Sequence, residues 1–235
     1  MPVTIVDRLY RRKRGVGVVG HRGSRATHPE NTIAAFRHAI DSGADAVELD
    51  VVVTSDGELE VTHDPVKVAF AGLPASVPRL EDVLGLAAGN DMVFDIEIKK
   101  CGRFTPSPAD YARIVLDRLR DAGLKDRIMV RSFEHEFLRA VHLLRPDLPL
   151  AALVEWRRGD WVEICSEAKA VCISPRFRDV TERRVAEAHA EGIAVIAWTV
   201  NRPSDWARMI GMGIDAIVTD DPAALVEFIE PGRCS

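Results

Sequence analysis

No stretch of about 18 consecutive apolar residues interrupts the chain, so a transmembrane helix is not expected. Cysteine is scarce. The four present, Cys101, Cys165, Cys172 and Cys234, are scattered, with no Cys-x-x-Cys pair and no histidines at zinc-finger spacing. That argues against a disulfide scaffold or a zinc knuckle and suits the reduced thiols of a cytoplasmic protein. Positive charge is not in excess: the formal net charge is -5, and a nucleic-acid partner is not expected. The apolar stretch at 3–6 is too short for a signal-peptide core and precedes the basic residues, so no secretory leader is expected. No low-complexity tract or linker breaks the pattern, which reads as one domain over residues 1–235.

What is present is an ordinary globular balance, 47% hydrophobic and 29% charged residues in 235, enough for one sizeable core. The basic cluster Arg8, Arg11, Arg12, Lys13 and Arg14 reads as a solvated N-terminal arm over residues 1–14. Contact with an anionic membrane surface is the lesser reading, and no stable membrane insertion is expected.

Short β-branched runs alternate with longer helical patterns. Strands are expected over Val16–Gly20, Ala46–Thr54, Met92–Ile98, Arg127–Phe133, Leu148–Val154, Ala170–Ser174, Ile193–Val200 and Asp215–Thr219. Helical patterns fall between them, among them Thr32–Ser42, Pro108–Ala122 and a stretch ending at Leu144. Eight such units in this length predict a (β/α)8 TIM barrel, an α/β fold. A dinucleotide-binding sheet is excluded, because no Gly-x-Gly-x-x-Gly joins the first strand to its helix.

An insertion, residues 55–91, follows the second strand. The Asp56-Gly57 step predicts a hairpin with a two-residue turn, which pairs Ser55 with Glu58 and sets His63 opposite Asp50. A short cap with Pro74, Pro78 and a helical pattern over Leu80–Ala88 follows.

In a barrel of this kind the functional groups sit at the C-terminal strand ends. The first strand ends at His21-Arg22-Gly23. On the second, Glu48 and Asp50 are two apart and share a face, as do Glu97 and Lys99 on the next expected strand. The hairpin delivers His63. Three carboxylates converging on a cavity require a cation, and all-oxygen ligation predicts a hard divalent ion, magnesium or calcium. Arg22 and Lys99 would meet a phosphate. His21 and His63 would divide acid and base work, a set that suits phosphodiester cleavage. Asp95 lies on the same face but deeper and reads as structural. Asn31 reads as a helix N-cap. Glu30 is expected to support His21 or Arg22, and Asp64 to support the hairpin or His63. Trp198 is expected to form an apolar wall for the substrate. Trp156, Trp161 and Trp206 read as packing or rim aromatics, and His28, His38, His135, His142 and His189 are assigned no role.

The ordered motifs His21-Arg22-Gly23, Pro29-Glu30-Asn31-Thr32, Glu48-x-Asp50, His63-Asp64-Pro65 and Glu97-Ile98-Lys99 resemble those of the glycerophosphodiester phosphodiesterase family. Ser132-Phe133, Trp198-Thr199-Val200-Asn201 and the run 213–220 resemble its later strands, so the likeness extends from Gly17 to Pro222. The resemblance implies hydrolysis of glycerophosphodiesters to glycerol 3-phosphate and an alcohol. It implies His21 and His63 as catalytic histidines and Glu48, Asp50 and Glu97 as ligands for calcium or magnesium. Arg22 and Lys99 match its phosphate-contacting positions. The family commonly carries a longer insertion after the His-Asp motif, so a smaller cap and a more open pocket are expected here. Two other functions fit the same residues: a lysophospholipase D-type or cyclising phosphodiesterase, and a catalytically silent barrel that binds phosphodiesters. A zinc hydrolase fits less well, since the His-x-His strand end is missing.

Overall fold

The computed structural model describes residues 6–7, 10, 14–54, 56–64, 77–101, 105–124, 126–156 and 159–232. Eight parallel strands close on themselves: β1 (Gly17–His21), β2 (Ala46–Val53), β4 (Val93–Ile98), β5 (Ile128–Ser132), β6 (Leu150–Val154), β7 (Cys172–Pro175), β8 (Ala194–Ala197) and β9 (Ala216–Thr219). Following partners once around from Val19 returns to the line of β1 eight residues before the start, the shear of a TIM barrel. The expected strands therefore all form, most of them shorter by a residue or more, while β1 and β7 start later and run one residue past the expected end.

Helices α1 (Ile33–Asp41), α3 (Pro108–Asp121), α4 (His135–Leu144), α5 (Trp161–Ala168), α6 (Glu182–Ala190), α7 (Pro203–Gly211) and α8 (Pro222–Ile229) follow their strands. Starts are written in the local sequence: Thr32, Ser107, Asp160, Thr181 and Asp221 cap α1, α3, α5, α6 and α8 through side-chain oxygens. Outward strand residues such as Leu49, Phe94 and Ile96 pack with Phe36 of α1, Val115 of α3 and Leu138 of α4 in the main core. Each fully buried large apolar side chain there contributes about 1.5–3 kcal/mol.

The inside of the barrel holds a second, smaller cluster. Val19, Ala46, Val93, Met129, Ala151, Cys172, Ala216 and Val218 meet Val6 and Tyr10 from the N-terminal segment. Gly17 permits this approach, because a Cβ there would lie 3.3 Å from the Tyr10 side chain. The Tyr10 hydroxyl donates to Asp95 Oδ2 (3.3 Å), and Arg131 grips both oxygens of Asp95, Nε at 2.6 Å from Oδ1. The solvated arm expected over residues 1–14 is corrected at its described positions. Val6 and Tyr10 plug the barrel floor, and Arg14 is pinned by Asp45 (3.0 Å), Glu230 (3.2 Å) and the Gly43 carbonyl. The basic residues at 8 and 11–13 lie outside the described residues.

The hairpin forms with a different register. Strand β3 (Leu59–Val61) runs antiparallel to β2, pairing Val51 with Val61 and Val53 with Leu59. Thr54 then faces Glu58, its N–H donating to the Glu58 carbonyl (2.9 Å), one position away from the expected pairing. Thr54 Oγ1 accepts from the Glu58 N–H (3.0 Å) and donates to Asp56, and these side-chain bonds hold the Thr54–Glu58 pair in place. The expected pairing of His63 with Asp50 is corrected accordingly: the register would put Thr62 there. The cap at 65–76 lies outside the described residues, and the pattern at 80–88 appears as α2 (Leu80–Leu84) followed by a 3-10 turn, Gly85–Ala87.

Candidate active site

Alternation along each strand decides what reaches the mouth. On β2, Glu48 and Asp50 point inward above Ala46; on β4, Glu97 points inward above Asp95 and Val93. The ladder sets Asp50 beside Glu97, so three carboxylates meet at one level. One oxygen from each lies within 4.8 Å of the others.

The loop after β1 wraps this cluster. Gly23 has φ +82°, and a Cβ there would strike the Ala35 backbone at 2.5 Å, so only glycine lets the loop lie against α1. Arg22 is itself left-handed, φ +52°, which aims its backbone N–H at Glu48 Oε2 (3.0 Å). Its guanidinium meets Asp50 Oδ2 through Nε (3.0 Å) and both oxygens of Glu30 through Nη1 (3.0 Å). Lys99 Nζ lies 3.0 Å from Glu97 Oε1 and 3.4 Å from Asp50 Oδ1. Asn31 is not the helix cap expected; Thr32 takes that role. Asn31 adopts φ +57° and donates from Nδ2 to Asp50 Oδ2 (2.9 Å), buried behind the acids.

His21 ends β1, and its Nδ1 lies 2.6 Å from Asp220 Oδ1, which leaves Nε2 available to a ligand. Asp220, one residue beyond β9, is held by Asn201, whose Nδ2 donates to Oδ2 (2.7 Å). Arg25 links Asp220 (3.6 Å) to Glu30 (2.6 Å). His63 reaches the same pocket although its register differs from expectation, because the chain leaves the ladder at Val61 and turns inward. Asp64 follows, its N–H on Thr62 Oγ1 (3.3 Å).

His21, Arg22, Glu48, His63, Glu97, Lys99 and Trp198 line one pocket of about 230 Å3, with Asp50 buried behind. Sequence reasoning assigned no role to several other members of the site. Arg131 forms part of the pocket floor, Phe133, Leu153 and Glu155 line its far side, and Asp220 and Asn201 hold His21. Asp220 was findable by the rule that found His21, a polar residue just past a strand end. Of the histidines assigned no role, His189 meets Asp215 (2.8 Å) and His38 meets Ser24 (2.9 Å), both outside this pocket.

Electrostatics set the acids apart. Burial, then Asp50 and Glu97, push the Glu48 carboxyl well up; burial and Asp50 push Glu97 up as well. Asp50 is also desolvated, but Lys99, Arg22 and the Asn31 hydrogen bond outweigh that and hold it down. Partial burial lowers His63, and Lys99 and Arg22 add to this against Asp50. Three acids face two cations, and Asp50 Oδ1 is buried without a hydrogen bond. Such a set fits a hard divalent ion, whose charge would relieve the repulsion that raises Glu48 and Glu97.

Comparisons with known proteins point to one family. The model of the glycerophosphoryl diester phosphodiesterase family matches residues 21–72 and 65–224. A glycerophosphodiester phosphodiesterase from Caldanaerobacter subterraneus subsp. tengcongensis is 30% identical over 241 residues, covering 92% of this chain and 98% of that protein. One from Bacillus altitudinis is 29% identical, covering 91% and 98%. Among solved structures, a protein of this kind from Silicibacter pomeroyi DSS-3 superposes with a TM-score of 0.84 at 27% identity, over 96% and 97% of the two chains. A phosphodiesterase from Oleispira antarctica, solved with the product sn-glycerol-3-phosphate, gives 0.83 at 22% identity, over 91% and 96%. Barrel and pocket thus define a TIM-barrel phosphoric diester hydrolase. The chain belongs to the glycerophosphoryl diester phosphodiesterase family.

Proposed function

We propose that the chain hydrolyses glycerophosphodiesters to glycerol 3-phosphate and an alcohol, with a divalent cation held by Glu48, Asp50 and Glu97 and with His21 and His63 moving the protons. The observation that carries this reading is the convergence of the three buried carboxylates with both histidines on one pocket. Magnesium or calcium bound there supplies charge for the phosphoryl oxygens. Arg22 and Lys99, which line the same pocket, would bring their positive charge to the phosphate.

His63, pushed down by burial and by the cations beside it, is neutral at neutral pH and accepts the proton of the attacking water. The water oxygen bonds to phosphorus as the bond from phosphorus to the alcohol oxygen breaks. His21, fixed at Nδ1 by Asp220, presents Nε2 and gives the departing oxygen its proton. Glu30 and Asn31 hold Arg22 and Asp50 in place, and Asp64 continues the backbone that places His63. A cytoplasmic setting belongs to the same reading, supported by buried thiols outside any disulfide at Cys101 and Cys165. No helix among the described residues is long and apolar enough to cross a membrane.

The test is release of glycerol 3-phosphate from glycerophosphocholine and glycerophosphoethanolamine, after chelation and again with magnesium or calcium restored. Turnover that disappears with chelator and returns with the ion is expected. Turnover indifferent to chelator would remove the ion from the reading, and no turnover under either condition would remove the activity.

A further inference from the structure

The pocket is two-faced. Its β1, β2 and β4 side carries the acids, the histidines and the phosphate-facing cations; its β5, β6 and β8 side carries Phe133, Leu153, Glu155 and Trp198. We propose that this second side receives a positively charged alcohol headgroup, held by the Phe133–Trp198 corner and by the Glu155 carboxylate. The proposal rests on the phosphodiesterase reading above and adds the class of substrate.

Phe133 follows β5 and Trp198 follows β8. Their rings meet edge to face, 5.5 Å between centroids and 87° between planes. Two perpendicular rings offer a cation both a π-face and a neighbouring wall. Trp198 is not free to swing, because its Nε1 donates to the Ser174 carbonyl (2.8 Å). Phe133 is 40% exposed, a large apolar area left open beside a polar pocket. Such a corner is preformed, so little ordering cost opposes binding.

Glu155 supplies the charge. It follows Leu153 by two positions and shares its inward direction at the end of β6. Among the described residues no cation is paired with it. The guanidinium of Arg176, on the adjoining strand end, lies over the Trp156 ring instead, 5.1 Å from its centroid. A carboxylate on the wall of a pocket that must accept an anionic phosphodiester repels the ligand unless the ligand brings positive charge of its own. Glycerol has none to bring, whereas a quaternary or primary ammonium alcohol does. Glu155 thus disfavours neutral headgroups while the aromatic corner favours cationic ones.

The experiment compares kcat/KM for glycerophosphocholine and glycerophosphoethanolamine with that for glycerophosphoglycerol, in the ion-loaded wild-type protein and in Glu155→Gln and Glu155→Lys. The wild type is expected to prefer the cationic substrates, Glu155→Gln to cut that preference about tenfold, and Glu155→Lys to reverse it. A preference ratio unchanged in Glu155→Gln would overturn the proposal while leaving the phosphodiesterase reading intact. An equal loss on all three substrates would also overturn it, since the wall would then hold the shared glycerol. Failure of the wild type on all three would instead sink the reading on which the proposal rests.

Discussion

Two charged clusters are stacked in one barrel, and they solve burial in opposite ways. At the floor, Asp95 is fully enclosed, yet Arg131 spans both its oxygens and Tyr10 donates to one of them, so charge is matched within the protein. One layer up, Glu48, Asp50 and Glu97 are as deeply placed but are matched by only two cations, and burial and repulsion drive Glu48 and Glu97 upward. The floor is complete as it stands. The mouth leaves its acids short of positive charge, a repulsion that a bound cation would relieve.

Substitutions can break this contrast. The largest effect expected is on catalysis at the mouth. His21→Ala or His63→Ala should lower kcat by about 10²- to 10⁴-fold, while calorimetry shows ion binding little changed. Near-normal turnover in His63→Ala would remove that residue from the proton path. Next, Arg131→Met at the floor strands Asp95 without its counter-charge and should cost roughly 3–5 kcal/mol in denaturant unfolding. The double variant Asp95→Leu/Arg131→Met should recover most of the loss; if it does not, the floor is held by packing rather than by matched charge.

The smallest effect sharpens the comparison through pH. Glu48 and Glu97 have folded-state pKa values raised above the ordinary 4.5, so the folded state holds protons there that the unfolded state has lost. Ion-free protein should therefore lose stability from these groups as pH rises from about that value through their raised ones. Asp50, held low, contributes in the other direction, and its contribution disappears only in acid. Thermal melting with and without saturating magnesium should show a gap that widens with pH, and Glu48→Gln should narrow it. A gap independent of pH would mean the ion does not replace those protons.

Much of this was legible in the chain. Alternating faces located Glu48, Asp50 and Glu97, because a period of two is a property of the strand and needs no knowledge of partners. Strand count gave the closed barrel for the same reason. What was lost depended on single residues of register or on distant contacts. The Asp-Gly step points to a two-residue turn, but the side-chain bonds of Thr54 to Glu58 shift the register by one residue. Asn31 looked like a cap because it precedes a helix, whereas its left-handed backbone turns it to Asp50, 19 residues away. Arg131 is 36 residues from Asp95, and no local pattern joins them. Basic composition near the N-terminus suggested a tail, since charge counts cannot show that Val6 and Tyr10 point into the barrel.

That floor also bears on how the molecule is made. Tyr10 lies 85 residues before Asp95, so its hydroxyl can gain this partner only after β4 has been made. Val6 and Tyr10 stopper a barrel that is closed only when β9 pairs with β1. Removal of the residues ahead of β1 would take Val6 and Tyr10 away from Val19, Ala46 and Val93 and leave the inner cluster without its plug.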